Sequence, residues 1–268
     1  MVASCILVHK SVLFSFGSLN RDRKQLMKRI GSVLYSLVAA AAFVWMAQDG
    51  QCQSAVPTPQ PPLASPFESE VSTLESRLPS MQTSTSPIIF YGSSSFRLWR
   101  SMQQDFPGYP VLNCGFGGSR LTDCVRYANR LVIPRKPAAI VIYAGDNDLA
   151  LGTPPEQVFL SFQRLFEILR AYSPSVPIAF VSVKPSPARL KYLPNIIKFN
   201  ELVEQYLQAK PETDYIDICS DMLGPDRKPI PSLFVNDQIH LSAAGYQIMR
   251  KEIGEFLSED LPRNGAIH

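Results

Sequence analysis

The chain has three histidines, His9, His240 and His268. His9 lies in a basic, apolar leader and His268 is the final residue, so a histidine base must be His240 if the chain uses one. Asp237 precedes it by three residues, in Asp237-Gln238-Ile239-His240. At that spacing on a short turn, a carboxylate can bond one ring nitrogen and leave the other free to take a proton from a hydroxyl. The hydroxyl candidates stand in Tyr91-Gly92-Ser93-Ser94-Ser95, where a glycine and small hydroxyl residues end an apolar run. A serine exposed at such a strand-to-helix turn meets free N–H groups that favour a developing anion. The stretch is not the nucleophile elbow of the α/β-hydrolases, because Phe96 stands where that motif needs glycine.

Two further stretches could stabilise an oxyanion. Asn113-Cys114-Gly115-Phe116-Gly117-Gly118-Ser119-Arg120 has three glycines in four positions and can present backbone N–H groups to a ligand. It is no dinucleotide fingerprint, since Arg120 occupies the third glycine position. Tyr143-Ala144-Gly145-Asp146-Asn147-Asp148 offers the Asn147 amide as a donor. Each stretch alone also fits a plain structural use: a capped turn, a glycine turn, an Asx turn or a surface turn.

The elements around these stretches decide between the two uses. Pro87–Tyr91, Pro110–Asn113, Ala138–Tyr143, Val176–Val183 and Asp214–Ile218 read as five short strands. Helical spacing runs through Phe67–Met81, Leu121–Leu131, Pro155–Tyr172, Leu193–Lys210 and Ser242–Leu257, with Ser242 as an N-cap. Alternating helices and fully apolar strands predict a parallel sheet covered on both faces. Ligands in such sheets bind beyond the C-terminal strand ends. The stretches that begin at Tyr91, Asn113 and Tyr143 fall just there.

Taken in order, the four stretches resemble the blocks of the SGNH hydrolase family, also called GDSL-like lipases and esterases. The resemblance runs from about Pro87 to Leu257. It implies an α/β fold, a three-layer α/β/α sandwich with a flavodoxin-like parallel five-stranded sheet. It implies Ser94 as nucleophile, Asp237 and His240 as its triad partners, and an oxyanion hole from the Ser94 and Gly118 N–H groups and the Asn147 amide. It requires no metal or organic cofactor. The first block usually reads Gly-Asp-Ser, and Ser93 replaces the Asp here. The expected reaction is hydrolysis of carboxylic esters. With no long apolar lid in the sequence, short acyl chains are favoured. Rival readings are a carbohydrate O-deacetylase or an acyltransferase with the same triad, and an exported binding module without catalysis.

Composition bounds the rest. Hydrophobic residues make up 46% and charged residues 18%, which is globular. Residues 1–47 hold six Lys/Arg and one Asp, so the remainder, with 20 basic and 22 acidic residues, has no cationic excess for nucleic acid. The basic cluster Arg21–Arg29 and the apolar run Ile30–Ala47 predict a signal peptide or an uncleaved anchor within residues 1–52. Either one exports the catalytic domain and limits membrane contact to this segment. Met27 is the expected start. Residues 53–66, rich in Pro, Ser and Gln, read as a linker ahead of a domain spanning 67–268. Cys114, Cys124 and Cys219 read as buried thiols, with a Cys114–Cys124 bridge as the alternative. Arg120, Lys184 and Arg189 read as solvated loop charge, and Phe96 and Trp99 as packing residues.

Overall fold

The computed structural model describes residues 65–77 and 86–261. The leader, nearly all of the linker and the predicted helix residues Leu78 and Met81 lie outside the described residues. Five strands, β1 (Ile88–Gly92), β2 (Val111–Gly115), β3 (Ala139–Tyr143), β4 (Ile178–Val181) and β5 (Thr213–Ile216), form one parallel sheet in the order β2-β1-β3-β4-β5. This is the predicted three-layer α/β/α sandwich.

Alternation along each strand divides the core in two. Ile89, Tyr91, Ile140, Ile142 and Phe180 face α4 (Leu121–Leu131), α6 (Pro155–Tyr172) and α7 (Leu193–Gln208). Phe90, Val141, Tyr143, Ala179 and Val181 face α2 (Ser94–Arg97), α3 (Met102–Asp105) and α8 (Ala243–Asp260). The Phe162 ring meets Phe180 edge-on at 5.0 Å between centroids. Burying one such phenyl ring contributes about 1.5–3 kcal/mol. Phe96 and Trp99 are fully packed in the second core.

Two predicted strand ends move inward because side chains take over the ladder. Asn200 bonds both the Val183 N–H (2.8 Å) and the Val183 carbonyl (3.0 Å), so β4 stops at Val181. The Ser182 hydroxyl oxygen accepts from the Ile218 N–H at 2.9 Å, which ends β5 at Ile216. α1 (Glu68–Arg77) packs on α4 through buried Val71, and Arg130 bridges Glu68 (2.6 Å) and Glu75 (2.5 Å). Ser242 caps α8 as expected, accepting from the Gly245 N–H. Cys114, Cys124 and Cys219 are buried free thiols, so the bridge alternative is set aside. Burial pushes the Cys114 and Cys219 thiols up to about 12 and Cys124 higher still.

Candidate active site

β1 sits where the chain reverses its direction of winding, with β2 on one side and β3 on the other, so the loops leaving these strands diverge and open a crevice. The site is built on that edge. Gly92 ends β1 at φ +142°, and a Cβ there would lie 1.9 Å from the Tyr143 carbonyl oxygen. Only glycine lets β1 pass that close to β3. The chain then turns into α2, with the Ser93 N–H bonded to the same carbonyl at 2.9 Å.

This turn sorts the three serines. Ser93 and Ser95 are buried, whereas Ser94 is partly open and begins α2. Its Oγ lies 3.2 Å from His240 Nε2. His240 Nδ1 lies 2.6 Å from Asp237 Oδ2, while Asp237 Oδ1 accepts the N–H groups of Ile239 (2.8 Å) and His240 (2.9 Å). The His240 side chain and these N–H groups together hold the Asp237 carboxyl down at about 2. The carboxylate therefore fixes the ring with its Nδ1–H inward, leaving Nε2 as an acceptor.

The loop carrying both residues is itself pinned. Gln238 takes a left-handed φ of +57°, and the Val235 N–H reaches back to the His240 carbonyl at 2.9 Å. The Gln238 carbonyl accepts from the Ala188 N–H at 3.2 Å, tying the loop to a 3₁₀ segment, Pro187–Tyr192.

Across the crevice, Gly118 is exposed at φ +71° with open space where a Cβ would point. Its N–H and that of Ser94 have no hydrogen-bond partner among the described residues. Asn147, in α5 (Asp146–Ala150), donates through Nδ2 to the Ser119 carbonyl at 3.0 Å and accepts at Oδ1 from Arg189 at 3.0 Å. The second amide hydrogen has no acceptor among the described residues. The structure thus brings Ser94, His240 and Asp237 into one chain of contacts, and Asn147 to the Gly118–Ser119 loop.

Of two predicted surface charges, one proves buried and the other half-buried, and both are ion-paired. Lys184 is 1% exposed and bonds Asp146 (2.5 Å) and the Tyr143 hydroxyl (3.1 Å). Arg189 pairs with the same Asp146 and is 18% exposed. Solvated loop charge was the wrong reading for both, because the segment after β4 folds over α5 instead of projecting into water. Burial lowers the Arg189 guanidinium from its ordinary range. Arg120 does fit the loop-charge reading, being half exposed and paired with Asp123 at 3.4 Å.

Sequence reasoning also missed Asp148. It is buried, accepts from the Leu121 N–H at 3.1 Å, and so joins the Asn147 turn to the start of α4. Burial pushes its carboxyl up to about 6. Its place directly after Asn147 was the available signal.

Comparison with known proteins agrees with this architecture. Residues 85–248 match the GDSL-like Lipase/Acylhydrolase family. Among solved structures, a GDSL-like lipase from Bacteroides thetaiotaomicron is 22% identical with a TM-score of 0.61, covering 72% of this chain and 98% of its own. A carbohydrate esterase of family 3 from Talaromyces cellulolyticus is 17% identical with a TM-score of 0.53, covering 65% and 97%. A family 3 carbohydrate esterase from Clostridium thermocellum is 15% identical with a TM-score of 0.51, covering 64% and 94%. These likenesses are of fold. Among curated proteins, none matches the sequence. The family match spans more than half of the residues, and the chain belongs to the GDSL-like lipase/acylhydrolase family of ester-hydrolysing enzymes.

Proposed function

We propose that the protein is an exported serine esterase in which Ser94, His240 and Asp237 form the catalytic triad. The carrying observation is the 3.2 Å contact between Ser94 Oγ and an imidazole whose other nitrogen is held at 2.6 Å by Asp237. Ser94 Oγ attacks the ester carbonyl carbon while His240 Nε2 takes its proton. The carbonyl oxygen becomes an oxyanion held by the N–H groups of Ser94 and Gly118 and by the Asn147 amide. The intermediate collapses to an acyl-serine, and His240 returns the proton to the departing alcohol. Water, deprotonated by His240, then releases the acid and restores Ser94. Every proton moves on a protein side chain.

The substrate reading is a short-chain carboxylic ester. A carbohydrate O-acetyl ester is the second reading, favoured by the two family 3 carbohydrate esterases among the fold neighbours. The basic cluster Arg21–Arg29 ahead of the apolar run supports a catalytic domain outside the cytoplasm.

The test is Ser94→Ala assayed on a short-chain aryl ester and on acetylated sugars, alongside fluorophosphonate labelling. Turnover should fall by roughly 10³-fold or more and labelling should vanish. Full activity in the purified variant would remove the nucleophile assignment. Cell fractionation with N-terminal sequencing tests export: a cytoplasmic product with Met1 intact would refute both the location and the Met27 start.

A further inference from the structure

The loop proposed to hold the oxyanion is intrinsically loose. Gly115, Gly117 and Gly118 each allow backbone conformations closed to other residues, and Gly118 uses one of them. A useful donor must instead stand ready before the charge develops. The described contacts show what fixes this loop, and part of it comes from outside the family match. Glu70, on α1, accepts the Gly117 N–H at 3.2 Å with both carboxylate oxygens. The same carboxylate pairs with Arg97 Nε at 2.7 Å, and Arg97 is the last residue of α2, the helix that Ser94 begins. One turn earlier, the Phe67 ring packs edge-on against Phe116 at 5.5 Å. α1 precedes residue 85, where the family match starts.

We propose that Glu70 is a positioning residue for this reaction, clamping the glycine loop to the nucleophile helix; the proposal rests on the triad and oxyanion-hole reading above. By occupying the Gly117 N–H, Glu70 sets the orientation of the Phe116–Gly117 peptide and leaves the Gly118 N–H facing the crevice. By holding Arg97 as well, it fixes the distance between the two backbone donors. The Arg97 guanidinium lies directly over the loop, 2.6 Å from where a Cβ on Gly117 would stand. The helix that carries Glu70 therefore completes the site.

The experiment uses the full chain carrying Glu70→Ala, Glu70→Gln or Glu75→Ala. Glu75 is the control, because it docks α1 through Arg130 and, among the described residues, makes no hydrogen bond or ion pair to the loop. Three quantities are read: kcat and KM on an aryl ester, the melting temperature, and amide hydrogen exchange of the 113–120 segment without substrate. Glu70→Ala should lower kcat by about 10-fold or more with KM little changed, since small misplacements of a donor are costly. It should also speed exchange at the loop. Glu70→Gln keeps an acceptor for the Gly117 N–H and should fall between. Glu75→Ala should lower the melting temperature while sparing kcat and loop exchange. Unchanged exchange in Glu70→Ala overturns the clamp, and so does Glu75→Ala matching its loss of kcat. Faster exchange with unchanged kcat overturns the role in turnover. Full activity in Ser94→Ala would instead overturn the catalytic reading, which the substrate-free exchange distinguishes.

Discussion

Arg189 donates to the side-chain carbonyl of Asn147 at 3.0 Å, and this contact, together with the amide's own bond to the Ser119 carbonyl, sets the direction in which the amide nitrogen faces. An amide free to flip would present its oxygen to a developing oxyanion half of the time, and oxygen repels it. Arg189 is itself held by Asp146, which Lys184 and the Tyr143 hydroxyl also approach. Arg189→Leu should lower kcat by roughly 10-fold with a smaller change in KM, because the affected interaction belongs to the transition state. Asp146 keeps Lys184 as a partner in the variant, so the fold should survive. Unchanged kcat in a well-folded variant would refute the role.

Asp237 predicts the form of the pH profile. Its carboxyl is held at about 2, below the ordinary 3.8, by bonds from His240 and the loop N–H groups. A depressed carboxyl contributes stability that is present above pH 3.8 and lost as pH falls through about 2. The carboxylate thus stays charged across the working range and adds no proton of its own to the acid limb of kcat/KM. An acid limb that steepens in Asp237→Glu or lies where the carboxyl itself takes up a proton would show that Asp237 titrates within the working range. Asp237→Asn should lower kcat by about 10³–10⁴-fold through the wrong tautomer.

Asp148 gives the opposite sign. Its carboxyl lies at about 6, raised from 3.8 by burial. Between those values the folded state binds more protons than the unfolded chain, so this group makes stability fall as pH rises. The full effect is on the order of 2–3 kcal/mol, present at pH 4 and lost above pH 6. Asp148→Asn keeps an acceptor for the Leu121 N–H and should flatten that slope. Urea unfolding at pH 4.5 and pH 7 checks it; equal slopes in both proteins would refute the assignment.

The sequence made some of these contacts readable and hid others for a physical reason. Asp237 and His240 are three residues apart on one turn, so their pairing is local and the spacing carries it. Ser94, Gly118 and Asn147 follow strand ends, and parallel sheets gather those ends on one edge. The strand cores were equally plain, since Ile88–Tyr91 and Ala139–Tyr143 are apolar on both faces. Arg189 and Lys184 were misread because burial of a charge depends on where a loop lies, and nothing in Pro185-Ser186-Pro187 says that it folds over α5. Glu70 was unreadable on the same ground: its partner Gly117 is 47 residues away in a different element.

Two glycines at the site should respond very unequally to the same added methyl group. Gly92 combines φ +142° with a would-be Cβ 1.9 Å from the Tyr143 carbonyl oxygen, and the two strands that would have to part, β1 and β3, are both inner strands of the sheet. Gly92→Ala must therefore move the backbone that aims Ser94, at a cost of roughly 3 kcal/mol or more. Gly118 also has a positive φ, +71°, but nothing stands within 4 Å of the added carbon. Gly118→Ala should cost only about 1 kcal/mol and keep its N–H donor. Melting curves with fluorophosphonate labelling separate the two. Gly92→Ala should lose folded yield and labelling together, while Gly118→Ala should melt a few degrees lower and still label. A Gly92→Ala protein that labels at the wild-type rate would show that β1 can pass β3 without this glycine.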